Sequence, residues 1–328
     1  MRLAGAGDLR VTQSQRPAGT ASKACGWTLT YCGGAIFVAW LLGVALSDRW
    51  AWSQWLLWMT DLSVVPAAAL IMTGRLVRGR RGIAPYVLVM VLGPVFWAAS
   101  LWGWGWLKWT NESTADTIRV LQWSAGPVIG DPTLYADFIT SIDADVSIVH
   151  GAHRAATTDT FRAWSHQQQI VIRGAFLVAS HIPITRLQTI GWADDITLVY
   201  LELLPPQAEP LRMILVDLPS DPARSRNAIV LRAKHMLEER QAEADVMLGD
   251  FNLTQGSWQL RNLMPPLEPV WFDTGHGWGG TYPRNVPVLQ LDHVLATPDR
   301  VQSIHVVTPP IGRHRAMVSD IKVFKQIE

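Results

Sequence analysis

Cysteine is nearly absent from this 328-residue chain: Cys25 and Cys32 are the only two, both near the N-terminus. No disulfide can brace the remainder, and two cysteines make no zinc framework. No sign of charge dominates either. The 28 Lys and Arg against 27 Asp and Glu leave a formal net charge of +1, so bulk electrostatics gives no pull toward nucleic acid. Internal repeats and low-complexity tracts are missing from the C-terminal part. What the chain has in quantity is apolar surface. Hydrophobic residues make up 49% of it, and its mean hydropathy is slightly positive, which is unusual for a wholly soluble protein. Most of the 17 tryptophans fall before residue 110.

That N-terminal third reads as membrane. Residues 1–25 are polar and without apolar periodicity, a flexible cytoplasmic segment. Three apolar stretches follow in 26–109, at about 26–46, 51–72 and 84–107, each near the ~20 residues that cross a bilayer as a helix. Trp50, Trp52 and Trp55 mark one water interface, and Trp102, Trp104, Trp106 and Trp109 mark the exit of the third span. A cleaved signal peptide is the competing reading of the first stretch. Its apolar run is too long for one, and no clear small-residue cleavage site precedes Asp48. The positive-inside rule sets the orientation. Arg75, Arg78, Arg80 and Arg81 lie between the second and third stretches, and Arg2, Arg10, Arg16 and Lys23 precede the first. The intervening loop has only Asp48 and Arg49. A multi-pass protein of the plasma membrane is expected, with a cytoplasmic N-terminus and everything after Trp109 extracytoplasmic. Asp61, in the second stretch ahead of Pro66, reads as a helix-locking carboxyl. Gly33 and Gly34 would permit close helix packing.

From Asp116 the pattern changes to short β runs and a few helices. Strands are expected over 117–123, 145–150, 170–181 (a pair), 196–204, 211–218, 246–248, 291–296 and 318–324, with helices over 134–142 and 225–242. Many strands lack an intervening helix. This favours a two-sheet α/β sandwich over a regular βαβ series, and the span is long enough for one substantial core.

Chemistry concentrates in four segments. Asp245-Val246-Met247-Leu248 runs into Gly249-Asp250-Phe251-Asn252, a strand that stops at a flexible Gly and delivers an anionic acceptor and an amide to a sheet edge. By itself this is equally a strand closed by an Asx-turn. Gly279-Gly280-Thr281-Tyr282-Pro283, Leu291-Asp292-His293-Val294-Leu295 and Gly312-Arg313-His314-Arg315 follow in order.

Those four segments, in that order and spacing, resemble the endonuclease/exonuclease/phosphatase superfamily of DNase I-like fold, and most of all its membrane-anchored bacterial branch. The resemblance covers 116–328. It implies a site at one end of the two sheets. Asp250 and Asn252 would hold the scissile phosphate and orient the attacking water. Asp292 would orient His314, and such a pair suits general acid–base work near neutral pH. Thr281 would line the same cleft. Magnesium or manganese would be the cofactor.

The chain departs from the family pattern at four places. Ser124 stands where the first strand ends in Asn. Gly151, after His150, replaces the Glu that is the main metal ligand. Asp217 takes the place of a phosphate-touching His, and Arg313 that of the Asp before the C-terminal His. Magnesium wants hard oxygen ligands, so these changes strip the family's metal set. Arg313 could bring positive charge to a phosphate instead, and His150, His153 and Asp217 are candidates for a different metal site. Two readings follow. One is a membrane-tethered phosphohydrolase or phosphodiesterase for an extracytoplasmic phosphate ester, with a lipid-linked phosphate suited to a site above the bilayer. The other is a degenerate member that binds a phosphate ligand or partner without turnover. Nucleic acid is the disfavoured partner.

Overall fold

A computed structural model describes residues 19–59, 63–79, 93, 95, 116–297 and 299–325. From residue 116 onward two mixed sheets pack face to face. One carries the strands in the order β10-β12-β13-β1-β2-β4-β3 and the other β5-β6-β7-β8-β11-β9. In the first sheet, β1 (Thr117–Ser124) and β2 (Val146–His150) lie parallel. The hairpin β3 (Gln169–Arg173) and β4 (Phe176–Ser180) completes one side. On the other side lie β13 (Ala316–Lys322), β12 (Val301–Val307) and the short β10 (Gly275–His276). The second sheet is built from β5 (Ile184–Ala193), β6 (Ile196–Leu203), β7 (Leu211–Asp217), β8 (Val246–Asp250), β11 (Asp292–Ala296) and β9 (Glu268–Pro269). Within it β7 and β8 are parallel. This is the two-sheet α/β sandwich of DNase I-like type that the sequence implies.

Side chains on a strand alternate between faces, and that alternation sorts the core. Ile118, Val120, Ile148, Met213, Leu215, Leu248 and Val294 fill the space between the sheets. Their neighbours Ile214, Val216, Met247 and Leu295 face outward, against Ile229, Ala233, Met236 and Leu237 of the helix Arg226–Glu239. On the opposite outer face Leu121, Trp123 and Val149 pack on Tyr135, Phe138 and Ile139 of the helix Pro132–Ile142. Following the inner positions toward one end of the sandwich leads out of the apolar core onto Gln122 and Ser124, His150, Asp217, Asp250 and Asp292.

The N-terminal part corrects one expectation. Among the described residues a single helix, Thr20–Leu46, is long and apolar enough to cross a membrane, and it is largely exposed. The second expected span is broken into a turn at Gln54–Leu57 and a shorter helix, Val64–Val77. Pro66 gives the reason. Proline lacks the N–H and crowds the preceding turn, so it is tolerated only in the first turn of a helix, and the helix restarts at Val64. The two longer helices lie against one another. Gly33 abuts Ala67 and Ile71, and Gly26 abuts Gly74, whereas Gly34 has no such neighbour among the described residues. Most of the stretch 84–107, and Asp61, lie outside the described residues.

Four strands escape the sequence reading, the two-residue β9 and β10 and the longer β5 and β12. The edge strand β5 is mostly half-buried, with Ile190 its one buried residue, so its polar residues hide the alternation. The strand β12 has an irregular register between Val301 and Ser303, which breaks the period-two pattern.

Candidate active site

Three aspartates stand side by side across three neighbouring strands. In the parallel ladder of β7 and β8, Asp217 is opposite Asp250. In the antiparallel ladder of β8 and β11, Asp250 is opposite Asp292. Residues directly opposite one another share a face, and like charges placed so are destabilising. A fold gains nothing from such a row, which makes it the candidate functional site. Asp250 and Asp292 are both buried.

Local sequence makes the row possible. Gly249 has φ +144 and packs so closely under β7 that a Cβ there would collide with the Val216 carbonyl. Glycine alone lets β8 reach Asp250 at that register. Past the strand end, Asn252 turns into the left-handed region, φ 49. Its N–H donates to Asp250 Oδ1 at 2.9 Å and its Nδ2 to the Leu218 carbonyl at 2.7 Å. Asn252 therefore ties the loops after β7 and β8 together beside the carboxyl. Thr281 is fully buried, and its hydroxyl accepts the N–H groups of Leu291 and Asp292 at 3.1 and 3.2 Å. It sets the start of β11 and lies beneath Asp292, away from the open cleft.

His314 closes the row. Its Nδ1 lies 2.7 Å from Asp292 Oδ2, and its Nε2 lies 3.6 Å from Asp250 Oδ2. The segment holding it is pinned from both sides. Trp123 Nε1 donates to the His314 carbonyl at 3.2 Å, Arg313 N–H to the Ala125 carbonyl and Arg315 N–H to the Thr281 carbonyl. The Tyr282 ring covers His314 with centroids 4.9 Å apart.

The charges pull the carboxyls in opposite directions. Burial, then the neighbouring Asp292, push the Asp250 carboxyl well above the usual range, against His314. Burial also presses on Asp292, but the His314 charge and hydrogen bonds from His314, Thr281 and Gln122 hold it below that range. Desolvation works against charging His314, yet Asp292, Asp250 and Asp217 outweigh it and raise the imidazole to about 9. Asp217 is pushed up to about 7 by burial and by Asp292. Paired groups driven apart in this way are how acid and base roles are divided in one site.

The facing sheet contributes differently. Gln122 Nε2 donates to Asp292 Oδ1 and to Ser124 Oγ, each at 3.1 Å. His150 Nε2 lies 3.2 Å from Asp217 Oδ2. Burial, then His153, lower His150 to about 4, so at neutral pH this contact is not an ion pair. The sequence reading singled out Ser124 but missed Gln122. The signal was present, since Gln122 and Ser124 are two apart and share the inner face. Gly151 leaves β2 with φ +84, and a Cβ there would run into the backbone of Gly126. The backbone of Gly126 thus leaves no room for a side chain at Gly151. Arg313 is exposed, and its methylenes run along Gly126.

The donor set fits a divalent cation. Asp250, Asp292 and His314 offer ligand atoms that lie within 4.8 Å of one another. Three carboxyls meet a single imidazolium, a surplus of acid that such a cation would balance. Asp292 is already shared between His314 and Gln122, so Asp250 is the oxygen donor best placed to hold it.

Comparison with known proteins bears on this arrangement. No curated protein matches the chain. Solved structures that resemble it include an endonuclease/exonuclease/phosphatase from Beutenbergia cavernae, at 15% identity and TM-score 0.49, covering 64% of this chain and 72% of that one. An AP endonuclease from Archaeoglobus fulgidus matches at 12% identity and TM-score 0.49, covering 62% and 99%. A 3′ phosphatase from Neisseria, bound to a product DNA hairpin, matches at 11% identity and TM-score 0.48, covering 62% and 99%. The family model of the Endonuclease/Exonuclease/phosphatase family matches residues 13–320. The chain belongs to the endonuclease/exonuclease/phosphatase family.

Proposed function

We propose that the protein is a membrane-anchored phosphohydrolase or phosphodiesterase that acts on an extracytoplasmic phosphate ester. The row Asp217–Asp250–Asp292, closed by the Asp292–His314 pair, carries this reading. The phosphate sits against Asp250 and His314 at the open end of the sandwich. Asp217, near neutrality, takes a proton from water as the water oxygen attacks phosphorus. His314, protonated and held at Nδ1 by Asp292, gives the Nε2 proton to the leaving oxygen. Asp250 would hold a magnesium or manganese ion, which would supply Lewis-acid polarisation of the phosphoryl oxygens and leave Asp217 to take the proton.

The anchor is the helix Thr20–Leu46 with Val64–Val77 packed against it. Arg75 and Arg78, at the far end of the second helix, support a cytoplasmic side for that end and for the N-terminus. The turn Ser47–Gln54 then lies outside. Hydrogen bonds join that turn to the sandwich, which supports an extracytoplasmic domain.

The test is hydrolysis of bis(p-nitrophenyl) phosphate and p-nitrophenyl phosphate by the full chain in detergent, with magnesium or manganese. Turnover that Asp250→Ala and His314→Ala abolish is expected. Absence of any metal-stimulated turnover would contradict it. Gly151 favours a second reading, a member that binds phosphate without turnover and uses Arg313 for charge. Phosphate binding by an inactive protein that Arg313→Ala weakens would select it.

A further inference from the structure

The loop between the first two N-terminal helices does more than connect them. Asp48 is buried against the sandwich. Its Oδ1 accepts the N–H groups of Trp258 and Gln259 at 2.9 and 3.2 Å, and its Oδ2 accepts the Ser257 hydroxyl. Ser47 Oγ bonds the Gly256 carbonyl at 2.8 Å and lies 2.9 Å from the Trp258 N–H. Gln54, also buried, donates through Nε2 to the carbonyls of Pro222 and Arg224 and accepts the Arg226 N–H at 2.8 Å. Arg226 itself is fully buried and lies over the Trp58 ring, 5.1 Å from its centroid.

These partners are the first turns of two helices, Arg226–Glu239 and Trp258–Asn262. A helix leaves its first N–H groups without partners. Ser225 and Ser257 cap Ala228 and Leu260, and the loop takes N–H groups that those caps leave over. Both helices follow the strands that end at Asp217 and Asp250. The loop therefore grips the same edge of the sheet that carries the acid row. From Asn252 to Gly256 is at most about 14 Å of extended chain, and from Asp217 to Pro222 at most about 18 Å. Trp50, Trp52 and Trp55, next to the grip, remain 48%, 58% and 50% exposed. Aromatic rings left uncovered beside a candidate span belong at headgroup level.

We infer that the Ser47–Gln54 turn locks the sandwich with its acid row toward the bilayer, and that the phosphate the site takes is carried by a lipid headgroup. The substrate part rests on the hydrolase reading above; the placement does not.

The experiment uses the full chain with Cys25→Ser and Cys32→Ser, in vesicles of phosphatidylcholine with 20% phosphatidic acid by convention (about one lipid in five), and a fluorophore at Ala223→Cys or Glu209→Cys. Ala223 lies in the loop after β7, and Glu209 lies before its other end, roughly 20 Å away along the strand. Energy transfer to a headgroup-labelled lipid should be clearly stronger from Ala223. The pair Asp48→Asn with Gln54→Ala should shrink that difference. The same pair should lower release of phosphate from vesicle phosphatidic acid at least about tenfold, while p-nitrophenyl phosphate turnover stays within about twofold. Equal transfer from both labels in the otherwise unaltered chain overturns the placement, whatever the variant does. Placement as expected, with hydrolysis of p-nitrophenyl phosphate but none of phosphatidic acid, overturns the lipid assignment and leaves the hydrolase reading standing. Hydrolysis of neither ester overturns both.

Discussion

The two sheets bring unequal halves to one site. The β7–β8–β11 side holds three carboxyls in register and, through Asp292, aligns His314. The β1–β2 side brings Ser124, a neutral His150 and Gly151. The first half has the paired acid and base that phosphate chemistry requires. Those three residues of the second bring no carboxylate, and a Cβ at Gly151 would meet the backbone of Gly126. The proton-handling groups are thus gathered on one sheet, while the backbone path at the end of β2 admits no side chain.

The largest expected effect separates the halves by rate. Asp292→Asn should cut turnover by roughly 10²–10⁴-fold, the range for loss of general acid–base function. Ser124→Ala should change it by less than about tenfold. Equal losses measured with p-nitrophenyl esters would erase the division.

Gly151→Glu sharpens the same comparison. The φ of +84 and the contact with Gly126 should make it destabilising by about 1–3 kcal/mol, seen as a lower Tm, without a gain in turnover. A rise in metal-stimulated rate would show that the β1–β2 side still accepts the family ligand.

A third prediction concerns pH in metal-free protein. The folded His314 is raised from 6.5 to about 9. Its contribution to stability is therefore complete below about pH 6.5 and is lost as pH rises toward 9. Asp217 is an acid raised from 3.8 to about 7, so its ionisation in the fold also works against stability, between about pH 4 and 7. His150 and His293, both lowered to about 4, act in the opposite direction over that lower window, so urea unfolding in chelator should show the fall above pH 6.5, and His314→Gln should flatten it. A stability that climbs from pH 6.5 to 9 would contradict the charge arrangement.

The smallest effect is a gain. Asp250→Asn relieves a buried like-charge row, so it should raise stability by about 0.5–2 kcal/mol while activity is lost, the usual trade at a functional site. A loss of Tm on that substitution would show that Asp250 supports the fold.

Much of this could be read before any coordinates. The sandwich was legible because the inner-face alternation of β1, β2, β7, β8 and β11 is nearly unbroken, and Asp250, Asp292 and His314 sit in short contiguous motifs at strand ends. Their register across β7–β8–β11 was not, because pairing is set by tertiary packing and a slip of one residue would have turned each aspartate outward. Gln122 and His150 act across the sandwich on Asp292 and Asp217, far away in sequence. Asp48 read as a mere loop charge, since nothing local reveals that it meets Trp258 and Gln259. The broken second span was announced by Pro66 but outweighed by the apolar run around it.

The most direct test of the acid row is calorimetric titration of manganese and magnesium into the full chain, with Asp250→Asn and Ser124→Ala beside it. The account predicts divalent-ion binding that Asp250→Asn removes and Ser124→Ala leaves in place. No binding at millimolar metal, or binding indifferent to Asp250→Asn, would contradict it.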